Sequence, residues 1–419
     1  MFGLADCNSF FVSCERVFAP FLRDKPVIVL SNNDGCVVSR SKEAVALGIR
    51  MGQPVFQIRD LVKANGVYVF SSNYVLYGDM SHRVMETLRE NVPSIEVYSI
   101  DEAFLDLRGI KLSELDLFGK DLAYKVKRNT GIPISVGISH TKTLAKIASK
   151  IAKKDSKLHG ACFLRDEKDI RNVLKTFPVS EIWGIGREYS KMLLKNNIMT
   201  AYDFLLASPQ WVKEKMSIVG LRTWRELHSE PCISFEESIK NKKQICVSRS
   251  FSKELSDIEE LSQAVATFAT RAAANLRRQN SVCYSIHVFI LTNQFKEGAY
   301  PYYRNSIVTQ EFPTDSTIKI VKGSIEALVK IYRKEYSYKK AGVVLMDISK
   351  KDNTPSDIFY NDEIQKHNSL MKTLDDINSR FGDNTLVTAT QGVNKLITFS
   401  NYLSKKYTTS WDDIIEVKI

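Results

Sequence analysis

The sequence predicts an α+β protein of several domains, and three observations support this. Short apolar segments typical of buried strands occur at 2–7, 27–31 and 132–139. The last segment leads directly into a helix-forming segment at 141–154, and strands and helices mix without a strict βαβ alternation. With 419 residues, the chain is long enough for two to four domains, each with its own core.

The composition is that of a globular protein with a basic surplus. Hydrophobic residues make up 44% of the chain, and 59 Lys and Arg against 48 Asp and Glu give a net charge of +11. Such a surplus suits a polyanionic partner, either nucleic acid or an acidic membrane surface. No export signal is recognisable, and no run approaches the ~18–20 apolar residues that cross a bilayer. We therefore expect a cytoplasmic protein.

Cysteine and histidine usage limits the kind of metal site. The seven cysteines are scattered, odd in number and free of C-x-x-C spacing, and the six histidines are equally dispersed. This pattern argues against a zinc site or a disulfide framework and favours a reducing compartment. Any catalytic metal must then be held by oxygen ligands, which favours Mg²⁺.

The next segments predict a strand pair and then a helical region. Two strand-like stretches within 94–108 meet at Asp101 and Glu102. Short helices with glycine turns follow at about 175–235, and the polar segment 237–244 is interpreted as an interdomain tether.

The region after the tether predicts a separable α+β unit. Its expected elements are strands at 245–251, 282–292, 305–312 and 341–348 and helices at 257–278 and 315–335. The segment 350–365 is interpreted as a flexible start to a C-terminal extension.

Three carboxylates are the candidate catalytic groups. Asp101 and Glu102 are neighbours at the crest of a hairpin, where a curled strand lets both side chains converge, and Asp6 lies in the first apolar strand. A buried pair of acids repels itself unless a cation lies between them. Three carboxylates on adjacent strands can hold two Mg²⁺ ions, as in phosphoryl and nucleotidyl transfer. The alternative is that the Asp-Glu pair decorates a solvated turn.

The sequence predicts three candidate phosphate-binding surfaces. Lys142, Lys146 and Lys150 recur at a spacing of four and predict one cationic helix edge, although such stripes are usually solvated faces. The segment 182–203 resembles a helix-hairpin-helix, in which Gly184 and Gly186 permit a tight turn before a phosphate-binding helix start. An ordinary αα-hairpin is the alternative. The third surface combines the lysines and arginines of 319–340 with Lys242, Lys243 and Arg249.

Taken together, these segments resemble the Y-family translesion DNA polymerases, and within them the UmuC branch. The motifs that carry the resemblance are MFGLADCNSFFVSCE at 1–15, LSNNDGCVVSRSKEAVALGIRMG at 30–52, FSSNYVLYGDMS at 70–81, YSIDEAF at 98–104, SHTKTLAKIASKIAKK at 139–154, WGIG at 183–186, VSRSF at 247–251 and YKKAG at 338–342. The SNNDGCV string is particular to the UmuC branch and absent from the polymerase IV branch.

The resemblance implies a right-hand architecture with an added little-finger domain. The expected domains are a palm (1–23 and 73–170), small fingers (24–72), a helix-hairpin-helix thumb (171–236), a linker (237–244), an α+β little finger (245–349) and a partner-binding extension (350–419).

It also implies roles for individual residues at the nucleotide site. Asp6, Asp101 and Glu102 occupy metal-binding positions, and the carbonyl of Cys7 would be a further ligand. Among the nucleotide-site residues, Phe11 falls at the steric gate that excludes a ribose 2′-OH, Phe10 is assigned to core packing, Lys153 matches a triphosphate-binding lysine, and Lys42 and Arg40 are candidate substitutes for a missing Tyr and Arg. Tyrosine is common at the gate, so Phe11 is a departure from the family pattern.

The implied function is error-prone DNA synthesis past damaged template bases. Two Mg²⁺ ions, with Mn²⁺ as a substitute, would serve nucleotidyl transfer from dNTPs on primer-template DNA. The fingers segment is short and no stretch is left for a proofreading exonuclease, which favours a tolerant site. The remaining alternatives are a nucleotidyl cyclase on a similar palm sheet and a catalytically silent DNA-binding protein.

The resemblance further implies protein partners. These are a processed UmuD-like dimer, RecA filaments and the sliding clamp, with association with the nucleoid when active and no membrane partner. At the usual place of the clamp-binding peptide the chain reads PSDIFY, in which Ile358 and Phe359 preserve the apolar anchor.

Overall fold

The computed structural model describes most of the chain. The described residues are 1–236, 241–296, 300–353, 361–382, 384–392 and 399–415, with only the backbone described for 353 and 361–365. The chain forms two compact units, which we call unit 1 (Met1–Ile239 with Ser400–Ile419) and unit 2 (Lys240–Phe399). Each unit contains helices and sheet, so the predicted α+β class is confirmed.

Unit 1 contains two sheets. Its strands are β1 (Phe2–Cys7), β2 (Val27–Leu30), β3 (Val37–Arg40), β4 (Tyr68–Ser71), β5 (Ser94–Val97), β6 (Glu102–Asp106), β7 (Ile134–Ser139) and β8 (Ala161–Phe163). The larger sheet has the order β5-β6-β1-β7-β8, and only β7 and β8 are parallel in it. The smaller sheet has the order β3-β2-β4. The first strand therefore lies at the centre of the larger sheet.

Ten α-helices accompany these sheets within the described part of unit 1. They are α1 (Phe10–Phe18), α2 (Lys42–Ala46), α3 (Arg59–Ala64), α4 (Tyr74–Arg89), α5 (Leu115–Thr130), α6 (Lys142–Lys154), α7 (Glu167–Thr176), α8 (Arg187–Lys195), α9 (Ala201–Leu206) and α10 (Pro209–Leu227). The backbone of α10 departs from helical geometry at Ser217. Short 3₁₀ helices occur at Pro20–Leu22, Asn32–Asp34, Val55–Ile58, Ser156–Leu158, Val179–Glu181 and Trp411–Asp413.

The two faces of the larger sheet pack against different partners. Because side chains alternate along a strand, Ala5 and Cys7 enter the main core of unit 1, whereas Leu4 joins Phe104 and Ala145 on the opposite face. Ala145 belongs to α6, so this helix covers the face onto which Leu4 projects. Asp6 lies two residues after Leu4, so its side chain projects from the same face of the sheet, the face that α6 covers.

Gly137 in β7 allows α6 to lie directly against the sheet. A Cβ atom at this glycine would come within 2.0 Å of the backbone nitrogen of Ser149 and 2.1 Å of the carbonyl oxygen of Ala145. Real Cβ atoms do not approach backbone atoms so closely, because the overlap is strongly repulsive. The helix therefore reaches its position only because residue 137 has no side chain.

Unit 2 is a four-stranded antiparallel sheet with helices. Its elements are β9 (Ile245–Leu255), α11 (Ile258–Arg278), β10 (Ser281–Thr292), β11 (Tyr303–Thr314), α12 (Thr317–Ile331), β12 (Tyr338–Lys350) and α13 (Asn361–Phe381), with 3₁₀ helices at Lys351–Asn353 and Ala389–Gln391. The sheet order is β11-β10-β12-β9, and α11 and α12 share one core with it. The predicted alternation of strands and helices after 245 is confirmed, with longer strands than expected.

The C-terminal extension contains a helix that the sequence reasoning did not predict. Within unit 2, a bidentate ion pair joins α13 to α11. In this pair Arg277 donates to both carboxylate oxygens of Asp375 at 2.6 and 2.7 Å. Met371 and Leu374 are buried on the same helix. The segment 350–365, which was expected to be flexible, is helical at Lys351–Asn353 and from Asn361 onward, where α13 begins.

Residues 400–415 pack on unit 1. The ring of Tyr407 stacks on that of Phe18 with centroids 4.7 Å apart and planes at 9°.

Across the part of the chain that the structure describes, no helix has the length and apolar character needed to cross a membrane.

Candidate active site

Asp6, Asp101 and Glu102 come together where β1 pairs with β6. Asp6 lies directly opposite Glu102 in the antiparallel register, so the two side chains project from the same face of the sheet. Asp101 immediately precedes β6, and its carbonyl oxygen accepts the Cys7 N–H at 2.8 Å. The structure therefore places the three acidic residues at one end of the β1–β6 strand pair.

Ser99 fixes the turn that presents Asp101 and Glu102. Its hydroxyl donates to Asp101 Oδ1 at 2.6 Å and accepts the backbone N–H groups of Asp101 and Glu102 at 3.2 and 3.0 Å. A serine that bonds to the backbone two or three residues ahead stabilises such turns. Sequence reasoning did not assign this role to Ser99.

Two lysines of α6 neutralise two of the carboxylates. Lys153 Nζ lies 2.6 Å from Asp6 Oδ1, and Lys146 Nζ lies 2.9 Å from Glu102 Oε2. Lys146 also lies over the ring of Tyr98, 4.6 Å from its centroid. The close packing of α6 on Gly137 brings these lysines over the acidic residues. A glycine inside an apolar strand is a sequence signal that could have predicted this close approach.

The electrostatics of the cluster show an excess of negative charge. Burial, followed by repulsion from Asp6 and Asp101, raises the pKa of Glu102 in spite of its bond to Lys146. Burial and the same acids raise the pKa of the Cys7 thiol well above its ordinary value. The thiol therefore stays protonated and is a poor metal ligand.

The acidic residues suit a metal pair in their chemistry, although their side chains are turned to other partners. Within the described ranges, no group of three His, Cys, Asp or Glu side chains is disposed to hold a metal ion. The physical reason is that Asp6 and Glu102 are turned to lysines and Asp101 to Ser99. The chemistry nevertheless fits, because carboxylate oxygens suit Mg²⁺ and the repulsion at Glu102 is the kind that a cation relieves.

The predicted cationic edge of α6 needs a correction at Lys142. Its side chain is only 1% exposed and lies 2.5 Å from Glu96 Oε2 and 2.7 Å from the carbonyl oxygen of Ser234. The prediction that Lys142 lies on an exposed, phosphate-facing edge was wrong. Lysine spacing alone does not show which side of a helix faces the protein, and here the first lysine of the stripe is directed inward.

Phe11 lies in an aromatic stack on α1 and α4. Its ring is half-buried and stacks on Tyr77, with centroids 4.5 Å apart and planes at 14°, and Tyr74 meets it edge-on. Phe10 is buried in the core of unit 1, consistent with its assignment to packing. Tyr77 is fully buried and donates its hydroxyl to Glu15 at 2.7 Å. Sequence reasoning did not identify Tyr77 and Glu15.

Arg40 and Lys42 lie at the end of β3 and the start of α2. The Arg40 guanidinium donates to the carbonyl oxygen of Ile49. Lys42 is exposed at the first position of α2, after the N-cap Ser41. The contacts of Arg40 thus serve the local fold of the 24–72 segment.

The remaining predicted residues are distributed over both units. Gly184 has a φ of +89°, and Gly186 is the N-cap of α8, which is followed by α9. In unit 2, Arg249 lies on β9 opposite Ala341. Ile358 and Phe359 lie outside the described residues.

Three family models match parts of the chain, and curated relatives match its whole length. A model of the impB/mucB/samB family matches residues 5–150, its C-terminal domain model matches 242–358, and a domain of unknown function (DUF4113) matches 368–417. Protein UmuC of Salmonella typhimurium is 42% identical over 424 residues, covering 100% of both chains. Protein ImpB of the same species is 43% identical over 422 residues, covering 99% of each.

The fold has solved counterparts. A Y-family DNA polymerase chimera of Dbh and Dpo4 superposes with a TM-score of 0.65 at 20% identity, covering 84% of this chain and 100% of the other. At that identity the likeness concerns the fold, and it agrees with the predicted polymerase architecture.

Proposed function

This chain belongs to the impB/mucB/samB family, the UmuC-type group of Y-family DNA polymerases, and we propose that its polymerase site is built on Asp6, Asp101 and Glu102. As a member of this family it is an error-prone translesion DNA polymerase of SOS mutagenesis. The observation that carries the assignment of the site is the register of β1 and β6, which sets Asp6 opposite Glu102 with Asp101 adjacent.

The carboxylates and the Cys7 carbonyl would hold two Mg²⁺ ions, with Mn²⁺ as a substitute. The chemistry that such a pair supplies is activation of the primer 3′-hydroxyl and neutralisation of the dNTP triphosphate. Lys153 and Lys146 balance the charge of Asp6 and Glu102 in the structure described here. If a cation engaged Asp6, the Lys153 ammonium would be free to meet the triphosphate, as the family resemblance implies.

Phe11 would select the sugar of the incoming nucleotide. Its ring is held on one side by Tyr77, so it cannot withdraw toward the core to make room for a ribose 2′-OH. Exclusion by a clash with a rigid ring discriminates between substrates without a hydrogen bond to either. The phenylalanine lacks the hydroxyl of the more common tyrosine, and the packing on Tyr77 supports its position instead.

DNA would be bound through contacts that do not read sequence. The N-terminus of α8 after Gly184 and Gly186 presents backbone N–H groups suited to a phosphate. In unit 2, burial and the neighbouring charge of Arg271 lower the pKa of Arg249, and a phosphate would relieve this crowding of cations. Lys142 does not take part, since its ammonium group is bound to Glu96.

Family membership supports a proposal for the wider assembly. The relatives include UmuC, and we propose a processed UmuD-like dimer, RecA filaments and the sliding clamp as partners, with Ile358 and Phe359 as the clamp anchor. The enzyme would act in the cytoplasm, at the nucleoid, on primer-template DNA with dNTPs.

The test of the active site is primer extension by Asp101→Asn with Mg²⁺. Removal of one carboxylate charge should reduce single-turnover extension by about a hundredfold or more, because the lost group acts on charge that develops in the transition state. Asp106→Asn is the matched control, since Asp106 is the last residue of β6, the strand that Asp101 precedes, and it pairs with Arg108.

The unfolding midpoint of each variant separates loss of chemistry from loss of fold. The assignment predicts a folded, inactive Asp101→Asn and a folded, active Asp106→Asn. Native-like extension by a folded Asp101→Asn would show that the polymerase site lies elsewhere.

A further inference from the structure

Residues 400–415, which we call the C-terminal clasp, bind Asp34 of the NNDG segment at 32–35. The Asn401 N–H donates to Asp34 Oδ2 at 2.8 Å. Tyr402 and Ser71 exchange two hydrogen bonds, since the Tyr402 N–H donates to Ser71 Oγ at 3.0 Å and the Ser71 N–H donates to the Tyr402 carbonyl at 2.9 Å. The Ser71 hydroxyl in turn donates to Asp34 at 2.5 Å. The clasp thereby binds Ser71, the last residue of β4.

The clasp also binds the residue that begins α4. The side-chain oxygen of Asn73 caps this helix by accepting the Leu76 N–H at 3.3 Å. The amide nitrogen of the same side chain donates to the Ser404 hydroxyl at 3.0 Å and to the carbonyl oxygens of Ser404 and Lys405 at 3.2 Å each. Asn73 is buried, so its amide orientation depends on these clasp acceptors.

A third contact reaches the aromatic stack behind the sugar gate. Ser404 Oγ donates to Glu15 Oε1 at 3.0 Å, and the Tyr77 hydroxyl donates to the same oxygen at 2.7 Å. Glu15 and Tyr77 are both buried, and Tyr77 stacks on Phe11. A continuous series of contacts therefore leads from Ser404 through Glu15 and Tyr77 to Phe11.

We infer that the clasp positions the sugar gate, with Ser404 and Glu15 as positioning residues for nucleotide selection. The inference rests on the proposed role of Phe11 as the gate. Ser404 acts at two points, because its hydroxyl accepts from the cap of α4 and donates to the carboxylate that holds Tyr77. Without it, the start of α4 and the Tyr77 ring both lose a constraint.

The position of the Phe11 ring matters because steric repulsion between the ring and a ribose 2′-OH falls steeply as the distance between them grows. A ring that retreats by a fraction of an ångström admits an additional hydroxyl group, whereas deoxynucleotides are accommodated in either position. Loss of the clasp contact should therefore affect ribonucleotide use far more than deoxynucleotide use. This selectivity separates a positioning role from general destabilisation.

The experiment measures kcat/KM for a dNTP and for the matching rNTP in primer extension by the full chain. The Ser404 hydroxyl bonds to both Asn73 and Glu15, and the bond to Glu15 is the one that leads to the ring. Ser404→Ala should lower the preference for the dNTP by about threefold to tenfold, the factor expected when that ordinary hydrogen bond is lost. Ser404→Thr keeps the hydroxyl and should restore the preference. Ser410→Ala removes a hydroxyl elsewhere in the clasp and should leave the preference unchanged.

A second measurement keeps the test decisive if Ser404→Ala is less stable. Hydrogen exchange at the first turn of α4 should become faster in Ser404→Ala and return to the native rate in Ser404→Thr, because the Asn73 cap depends on the clasp. Native exchange and a native preference in Ser404→Ala would overturn the inference.

Phe11→Ala separates this inference from the function on which it rests. If Phe11→Ala abolishes the preference for the dNTP while Ser404→Ala preserves it, the gate exists and the clasp does not position it. If Phe11→Ala has no effect on the preference, the gate assignment itself fails. Loss of the preference in both variants, with a native result for Ser410→Ala, supports the inference.

Discussion

Gly137 of β7 lies in direct contact with the backbone of Ala145 in α6, without room for a Cβ atom between them. Gly137→Ala should lower the free energy of unfolding by about 1–3 kcal/mol or more, because the neighbouring atoms belong to the backbone and cannot rotate away. The helix would be displaced from the sheet, and Lys146 and Lys153 with it. We expect a lower urea midpoint and impaired primer extension in the same variant.

The matched control for this prediction is Gly78→Ala. Gly78 lies in α4 with no heavy atom within 4 Å of the position of an added Cβ. Alanine at an exposed helix position should stabilise the protein by up to about 1 kcal/mol. A Gly137→Ala protein as stable as the native one would show that the helix does not rest on this glycine.

Lys142→Met tests whether the inward lysine of α6 is structural. Its removal leaves the Glu96 carboxylate, which is 16% exposed, without its ammonium partner. Breaking a buried pair in this way costs about 3–5 kcal/mol, so the unfolding midpoint should fall markedly. Lys154→Met, at a side chain that is 68% exposed, should cost less than about 1 kcal/mol. A stable Lys142→Met with weakened DNA binding would restore the original interpretation.

Glu15 should make the stability of the protein depend on pH. Burial raises the pKa of Glu15 from about 4.5 to about 6, so the folded protein retains a proton that the unfolded chain releases in this window. The free energy of unfolding should therefore fall by about 2 kcal/mol as the pH rises from below 4.5 to above 6. Urea unfolding at a series of pH values measures this slope.

Two variants identify the source of that pH dependence. Glu15→Gln cannot ionise and should remove the slope, whereas Glu86→Gln, at a side chain that is 47% exposed on α4, should retain it. An equal slope in both variants would assign the pH dependence to another group.

Arg249→Gln tests the proposed phosphate contact in unit 2. Loss of one phosphate contact should weaken binding of primer-template DNA at low salt for every sequence. It should also reduce the slope of log affinity against log salt by about 1. Lys125→Gln is the control, because Lys125 lies outside the predicted phosphate-binding surfaces and is paired with Asp121 at 2.8 Å. An unchanged slope in Arg249→Gln would remove this residue from the DNA surface.

Local sequence patterns predicted much of the fold. The apolar runs around Asp6 and at the two sides of Asp101 correctly indicated the strands that pair in the larger sheet. The alternation of apolar residues in 282–292 likewise identified β10 of unit 2. These patterns succeed because the side-chain period of a strand or helix determines which residues can be buried together.

Features that depend on distant partners were not predicted. The helix α13 has a polar sequence, and its attachment depends on Arg277 and on the burial of Met371 and Leu374. The inward direction of Lys142 depends on Glu96, which belongs to another element. The clasp is bound largely by hydrogen bonds that involve the main chain, and these leave no trace in side-chain periodicity.

Asn73 and Ser404, which meet in the clasp, are 331 residues apart in sequence. Strands β1, β6 and β7, by contrast, all lie within the first 139 residues and can pair soon after synthesis of that segment. Because contacts between remote segments close later on average, we expect the contact of Asn73 with Ser404 to form after these strands have paired. The acidic residues of the proposed site are then expected to be in place before the clasp supports the ring of Phe11.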